Sequence, residues 1–163
     1  MMRQGYLWMM LFNIGLALIL LAACGQKTPE NIIKSELKDS YVGYSELSGY
    51  DSSIFSGGGQ EITFDKKHHT LKSGDEKVYY EVVPEKKLPK SMKGILTSHE
   101  AELSGKDYFI INVGYDKDDV WGKLGDQLYC VVLTDGGNSI RIFEFETGYT
   151  TDGYFDFTGK VNE

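Results

Sequence analysis

From Gln60 onward the chain keeps a period of two. Ile62 and Phe64 alternate with polar neighbours, as do Val78, Tyr80 and Val82. Phe109, Ile111, Val113 and Tyr115 line one face of a later run. A strand turns successive side chains to opposite faces, so this pattern specifies strands with one buried side. Leu128 to Leu133 is apolar at every position, the pattern of a strand covered on both faces. Turn signals separate the runs. Pro84 ends one, Leu88-Pro89 marks another turn, and Asp135-Gly136-Gly137-Asn138 supplies residues that tolerate positive φ in a hairpin. A returning strand is expected from Ile140 to about Glu146, and Phe155 and Phe157 form a last short one. Ile95 to Leu103 reads as a further strand, and no helical period of useful length follows residue 40. Seven or eight strands, with turns roughly every 8–12 residues, predict a mainly β domain, either a single antiparallel meander barrel or a sandwich. Consecutive hairpins favour the up-and-down order, and barrel closure removes exposed sheet edges.

The N-terminus carries a different signal. Tyr6 to Ala23 is an apolar run broken only by Asn13 and Gly15, preceded by Arg3 and ending in Leu21-Ala22-Ala23-Cys24. A positive end, an apolar middle and small residues at a cut site are the three parts of a secretory signal. The cysteine directly after Leu-Ala-Ala resembles the lipobox of bacterial lipoproteins. That resemblance implies diacylglycerol on the Cys24 sulfur, cleavage between Ala23 and Cys24, and a membrane-anchored protein on the extracytoplasmic face. The alternative is an uncleaved transmembrane helix, since a span needs roughly 17–25 residues. A buried core helix is a second alternative.

The expected organisation is a signal peptide over 1–23, a tether with a short helix over 24–40, and a β domain over 41–163. Pro29-Glu30-Asn31 is a plausible helix start, with Ile32, Ile33 and Leu37 as its apolar stripe. Loss of residues 1–23 would remove one positive charge, Arg3, taking the net charge from −7 to −8. That acidity argues against nucleic acid and against a basic face on anionic lipid. With Cys24 lipidated, Cys130 has no partner within the chain. Its apolar neighbours predict a small buried hydrophobe, not a reactive thiol.

A helix followed by an antiparallel meander is similar in layout to the lipocalin-type barrels, including small lipocalin-like lipoproteins of Gram-positive bacteria. The Gly-x-Trp opening of that family has its nearest counterparts in Gly43-Tyr44 and Gly49-Tyr50, neither followed by Trp. The resemblance implies a cavity for a small apolar or amphipathic ligand. Arg141, His99, Tyr80, Phe109 and Phe143 are the candidate lining residues. Alternation places Arg141 on the same side as Phe143 and Phe145, which are expected to face the interior. On a strand, His99 would share a face with Ile95, Thr97, Ala101 and Leu103, as a hydrogen-bonded interior histidine.

Other motifs point to surface. Gly57-Gly58-Gly59 reads as a loop and lacks the Lys-Ser/Thr of a phosphate cradle. His68-His69 would face opposite ways on a strand and are expected in an exposed turn. Asp116, Asp118 and Asp119 resemble the start of a calcium loop, but Val120 and Trp121 break the pattern, so an acidic loop is expected instead of a metal site. No nucleophile arrangement or cofactor fingerprint is present, and no enzymatic activity or cofactor is expected. Two readings remain open: a lipid-anchored barrel holding a small ligand, or a filled barrel that binds or inhibits a surface protein partner.

Overall fold

The structure, a computed structural model, describes residues 27–45, 55, 58–118, 120, 127–145 and 155–162. Among these, the alternating runs form eight strands: β1 (Ser40–Ser45), β2 (Gly58–Asp65), β3 (Thr70–Ser73), β4 (Glu76–Val82), β5 (Asp107–Gly114), β6 (Leu128–Thr134), β7 (Ser139–Glu144) and β8 (Asp156–Val161). Each pairs antiparallel with the next, and β8 pairs back onto β1 from Tyr41↔Val161 to Ser45↔Phe157. The sheet is therefore a closed meander barrel, not a sandwich. Closure is tight because small residues meet at the seam. A Cβ on Gly43 would lie 2.1 Å from the Thr158 carbonyl oxygen and 2.6 Å from the Phe157 ring.

The short N-terminal helix α1 (Pro29–Ser35) forms where expected. Thr28 caps it by accepting from the Asn31 amide. Ile32 and Leu37 are buried and join the barrel core, so α1 and the turn after it close one end. Tyr41 ties this closure together. Its hydroxyl accepts from the Lys38 amide and donates to the Gly137 carbonyl, both at 2.9 Å. The hairpin turn at 135–138 has the positive φ values expected of it, at Asp135, Gly136 and Gly137. It also needs a glycine at 137 for space, because a Cβ there would sit 1.9 Å from the Glu36 carbonyl oxygen.

Three expectations are corrected. Gly58 and Gly59 belong to β2, opposite Ser45 and Tyr44, and not to a loop. Residues 95–103 are not a strand. They lie in α2 (Lys90–Ser98) and α3 (Glu100–Leu103), part of an excursion between β4 and β5. This excursion lays Leu88, Met92 and Leu103 over Ile110, Leu128, Cys130, Val132, Phe143 and Phe145 on the outside of the wall. The faces of β7 are consequently reversed. Ile140, Ile142 and Glu144 point into the barrel, whereas Arg141, Phe143 and Phe145 point out, under the helices. A solvent-facing carboxylate and an inward Phe pair are the natural reading of that strand only if nothing covers its outer side.

Glu146, Asp119 and Trp121 lie outside the described residues, as do Cys24 and the apolar run before it. Among the described residues no helix is long and apolar enough to cross a membrane.

Candidate functional site

Of the five candidate lining residues, the structure brings three together on the outer wall and keeps two inside. Arg141, Phe143 and His99 are the outer group. Arg141 Nε and Nη2 donate to the two carboxylate oxygens of Asp156 at 2.8 and 2.7 Å, a bidentate pair across the β7–β8 ladder. Its Nη1 donates to Glu102 of α3. The guanidinium carbon lies 4.9 Å from the centre of the Phe143 ring, in cation–π range. His99 occupies the junction between α2 and α3 and packs its ring 4.6 Å from the same Phe143. His99 Nδ1 is 3.3 Å from the second Glu102 oxygen, and Lys106 Nζ is 3.9 Å from the first.

This constellation joins α3 to the barrel. Burial works against the charged form of Glu102, but the hydrogen bonds from Arg141 and His99 outweigh it and hold the carboxyl below its ordinary range. The guanidinium has its charge matched by carboxylates on two elements. Its geometry is that of a fastener, with no open face toward the interior.

Tyr80 and Phe109 are the inner group, both buried in the barrel core. Aromatic rings fill that interior along its length. Tyr41, Phe64 and Tyr80 meet edge to face in sequence toward the α1 end, with centroids 6.3 and 6.2 Å apart. At the other end Phe55 stacks on Phe155 at 4.3 Å and meets Tyr129 edge-on at 5.0 Å. Phe55 therefore plugs the barrel from the segment between β1 and β2. The Tyr80 hydroxyl has no hydrogen-bond partner among the described residues, and burial pushes its pKa up to about 12.

Two clefts lined by described residues lie on the outside. One, of about 740 Å³, runs between Lys27, Leu96, Leu103 and the start of β5 at Asp107 and Tyr108. The other, of about 540 Å³, lies along Lys67, His69, Tyr79 and Lys117 and reaches the buried Tyr80. His68 and His69 are exposed in the β2–β3 turn, as expected, with His68 Nδ1 2.7 Å from Asp65. Asp116 and Asp118 are exposed, and Asp116 accepts from the Asp118 amide at 2.9 Å. Cys130 is buried beneath the helices, and desolvation raises its thiol pKa far above the ordinary value.

Glu102 and Asp156, the partners of Arg141, were absent from the expected site. A signal for Glu102 exists in the sequence: His99, Glu102 and Lys106 are spaced i, i+3 and i+7, which places them on one helical face. No protein-family model, curated protein or solved structure matches the chain.

Proposed function

We propose that this chain is an exported lipoprotein, anchored through Cys24, whose filled barrel is a rigid platform for a macromolecular partner and not a carrier of small ligands. The observation that carries this reading is the interior. Tyr41, Phe55, Phe109, Phe155 and Phe157 are each at most 1% exposed, and their rings occupy the space that a ligand would need. Ligand pockets are typically about 300–1,000 Å³ and largely preformed. The two clefts of that size lined by described residues open to the outside, and the second touches one interior side chain, Tyr80. The exposed Val42 and Tyr44 of β1 support the platform reading, because they form part of an outer wall that the helices leave bare.

A second reading keeps the small amphipathic ligand. It draws on the polar atoms buried within the wall: the Tyr80 hydroxyl, Ser45 Oγ and Gln60 Nε2 lack hydrogen-bond partners among the described residues. A ligand under a displaced Phe55 would meet Ser45 and Gln60, which lie at that end of the barrel. Solvent extraction of the purified protein followed by mass spectrometry separates the two. The platform reading expects only the acyl chains on Cys24 and no thermal stabilisation by fatty acids. A stoichiometric extracted amphiphile, lost in Phe109→Trp, would establish the carrier reading instead. The anchor has its own test: Cys24→Ser should leave the membrane fraction or persist as uncleaved precursor.

A further inference from the structure

The net charge of −8 after residue 23 does not reveal where the charges lie. Strands alternate in direction, so the segments 27–39, 66–69, 83–106, 135–138 and the tail after β8 all leave the sheet at one barrel end, and 83–106 continues from there over the outer wall. These segments hold ten lysines against eight carboxylates, whereas the rest of the chain after residue 23 holds six basic residues against sixteen acidic ones. The excess is concentrated in Glu85-Lys-Lys-Leu-Pro-Lys-Ser-Met-Lys93, which has four lysines and one carboxylate.

Those four lysines differ from three of the other six lysines at this end, which are held in ion pairs. Lys27 is paired with Glu36 and Asp107, Lys66 with Asp39, and Lys106 with Glu102. Lys86, Lys87, Lys90 and Lys93 are exposed, and no carboxylate pairs with them among the described residues. The backbone fixes their direction. Leu88 and Met92 are buried against the wall, so the lysines around them are turned outward. The apolar side of α2 is thus already covered by the barrel. Its outward side can attract an anionic surface but has no apolar stripe with which to insert into one.

The tether emerges beside this patch. Lys27 lines the same cleft as Glu85, Leu96 and Tyr108, and Glu85 is adjacent to Lys86. Consecutive Cα atoms are about 3.8 Å apart, so Cys24 lies within about 11 Å of Lys27 whatever the path between them. Lipid on Cys24 would hold this side of the barrel at the bilayer.

We propose that Lys86, Lys87, Lys90 and Lys93 form a docking face for anionic lipid headgroups, which orients the anchored barrel with its helix-covered wall toward the membrane and its β3–β4 turn away from it. The inference rests on anchoring through Cys24. The two acyl chains of a diacylglycerol on Cys24 would already hold the chain at the membrane, so the lysines would set its orientation and not its attachment. Each lysine near an anionic leaflet contributes roughly a fivefold preference, and the effect fades beyond a Debye length of about 8 Å at physiological salt. The rest of the chain after residue 23, with sixteen acidic residues against six basic ones, would be repelled by the same surface.

The test uses the lipidated full chain in vesicles. One fluorophore is placed at Ser91→Cys beside the lysines, another at Asp75→Cys in the β3–β4 turn at the far end. Energy transfer to a headgroup acceptor is compared in phosphatidylglycerol-containing and pure phosphatidylcholine vesicles. Strong transfer from position 91 and weak transfer from 75 is expected in the anionic vesicles. That difference should shrink in 0.5 M salt, in phosphatidylcholine, and in K86A/K87A/K90A/K93A, with the melting temperature of that variant unchanged. Equal transfer from both positions, or a difference indifferent to lipid charge, overturns the docking face. The mass of the N-terminal peptide judges the anchor separately. If it shows an unmodified Cys24, the anchoring reading falls. Failure of that unmodified chain to bind the same anionic vesicles would then overturn the lysine face as well.

Discussion

The two halves of the barrel wall are built differently. In β1 and β4 buried and exposed positions alternate, and the outer side chains of β1 include Val42 and Tyr44 in water. In β5 and β6 the central residues are buried on both faces, because α2 and α3 cover the outer one. One half has a single core, and the other is a three-layer structure of ring-filled interior, sheet and helix. The difference shows that the barrel interior is only part of what holds this fold together. Cys130, Val132 and Phe143 are outside the barrel and yet inside the protein.

The largest test of that comparison is Phe143→Ala. If the outer layer is a true core, losing this ring should cost about 3–4 kcal/mol in urea unfolding, as for other large-to-small core changes. Cys130 pairs directly with Phe143 across the β6–β7 ladder and reports on the same layer. Its thiol should resist a bulky reagent in the native protein and become labelled as the helices open. Labelling should therefore be faster in Phe143→Ala at equal denaturant. Rapid labelling of the unmutated protein would mean that the helices do not seal the wall.

How much of this was legible follows from the same contrast. The alternating half could be read directly: Ile62, Phe64, Val78 and Tyr80 face inward as their spacing requires. The two-sided character of Leu128–Leu133 was also legible, since a strand with no polar face needs cover on both sides. The identity of the cover was not. In Ile95-Leu-Thr-Ser-His-Glu-Ala-Glu-Leu103 an apolar start, an apolar end and β-tolerant residues between them suit a strand as well as two short helices. Tertiary packing decided for helix, through Met92 and Leu103. That one error inverted β7. Without an outer layer, Phe143 and Phe145 could only be placed inside, and Glu144 only in water. Arg141, placed inside by the same error, finds its partners on α3 and on β8, fifteen residues further on, beyond the reach of any local pattern.

A smaller effect tests the fastener between layers. Arg141→Met removes the guanidinium from Asp156 and Glu102. Breaking a fully buried ion pair costs about 3–5 kcal/mol, and this pair is partly solvated, so about 1–2 kcal/mol is expected. Its pH dependence gives the sign. The Glu102 pKa is lowered in the folded protein relative to its ordinary value of 4.5. Its contribution is therefore present above pH 4.5 and is lost as pH falls through the lower, folded value. Glu102→Gln should flatten that part of the acid limb, and Arg141→Met should flatten it too. An unchanged limb in both variants would mean that another carboxylate governs acid unfolding.

The finest test applies one chemical change to both halves. Valine and threonine have similar shape and β propensity, so Val→Thr chiefly exchanges a methyl group for a hydroxyl. At Val42, which is 45% exposed, the hydroxyl can meet water, and the change should stay within about 0.5 kcal/mol. At Val132, 3% exposed on the outward side of β6, the hydroxyl must be desolvated among Leu88, Met92 and Ile110 or their neighbours in that layer. A buried hydroxyl without a new partner costs about 1–3 kcal/mol. Both positions point away from the barrel interior, so the interior cannot produce a difference between them. A cost at Val132 with none at Val42, in matched denaturation curves, would therefore measure the helical cover alone. Equal small costs would mean that α2 and α3 sit on the wall too loosely to exclude water, and that the covered half is stabilised from inside like the other.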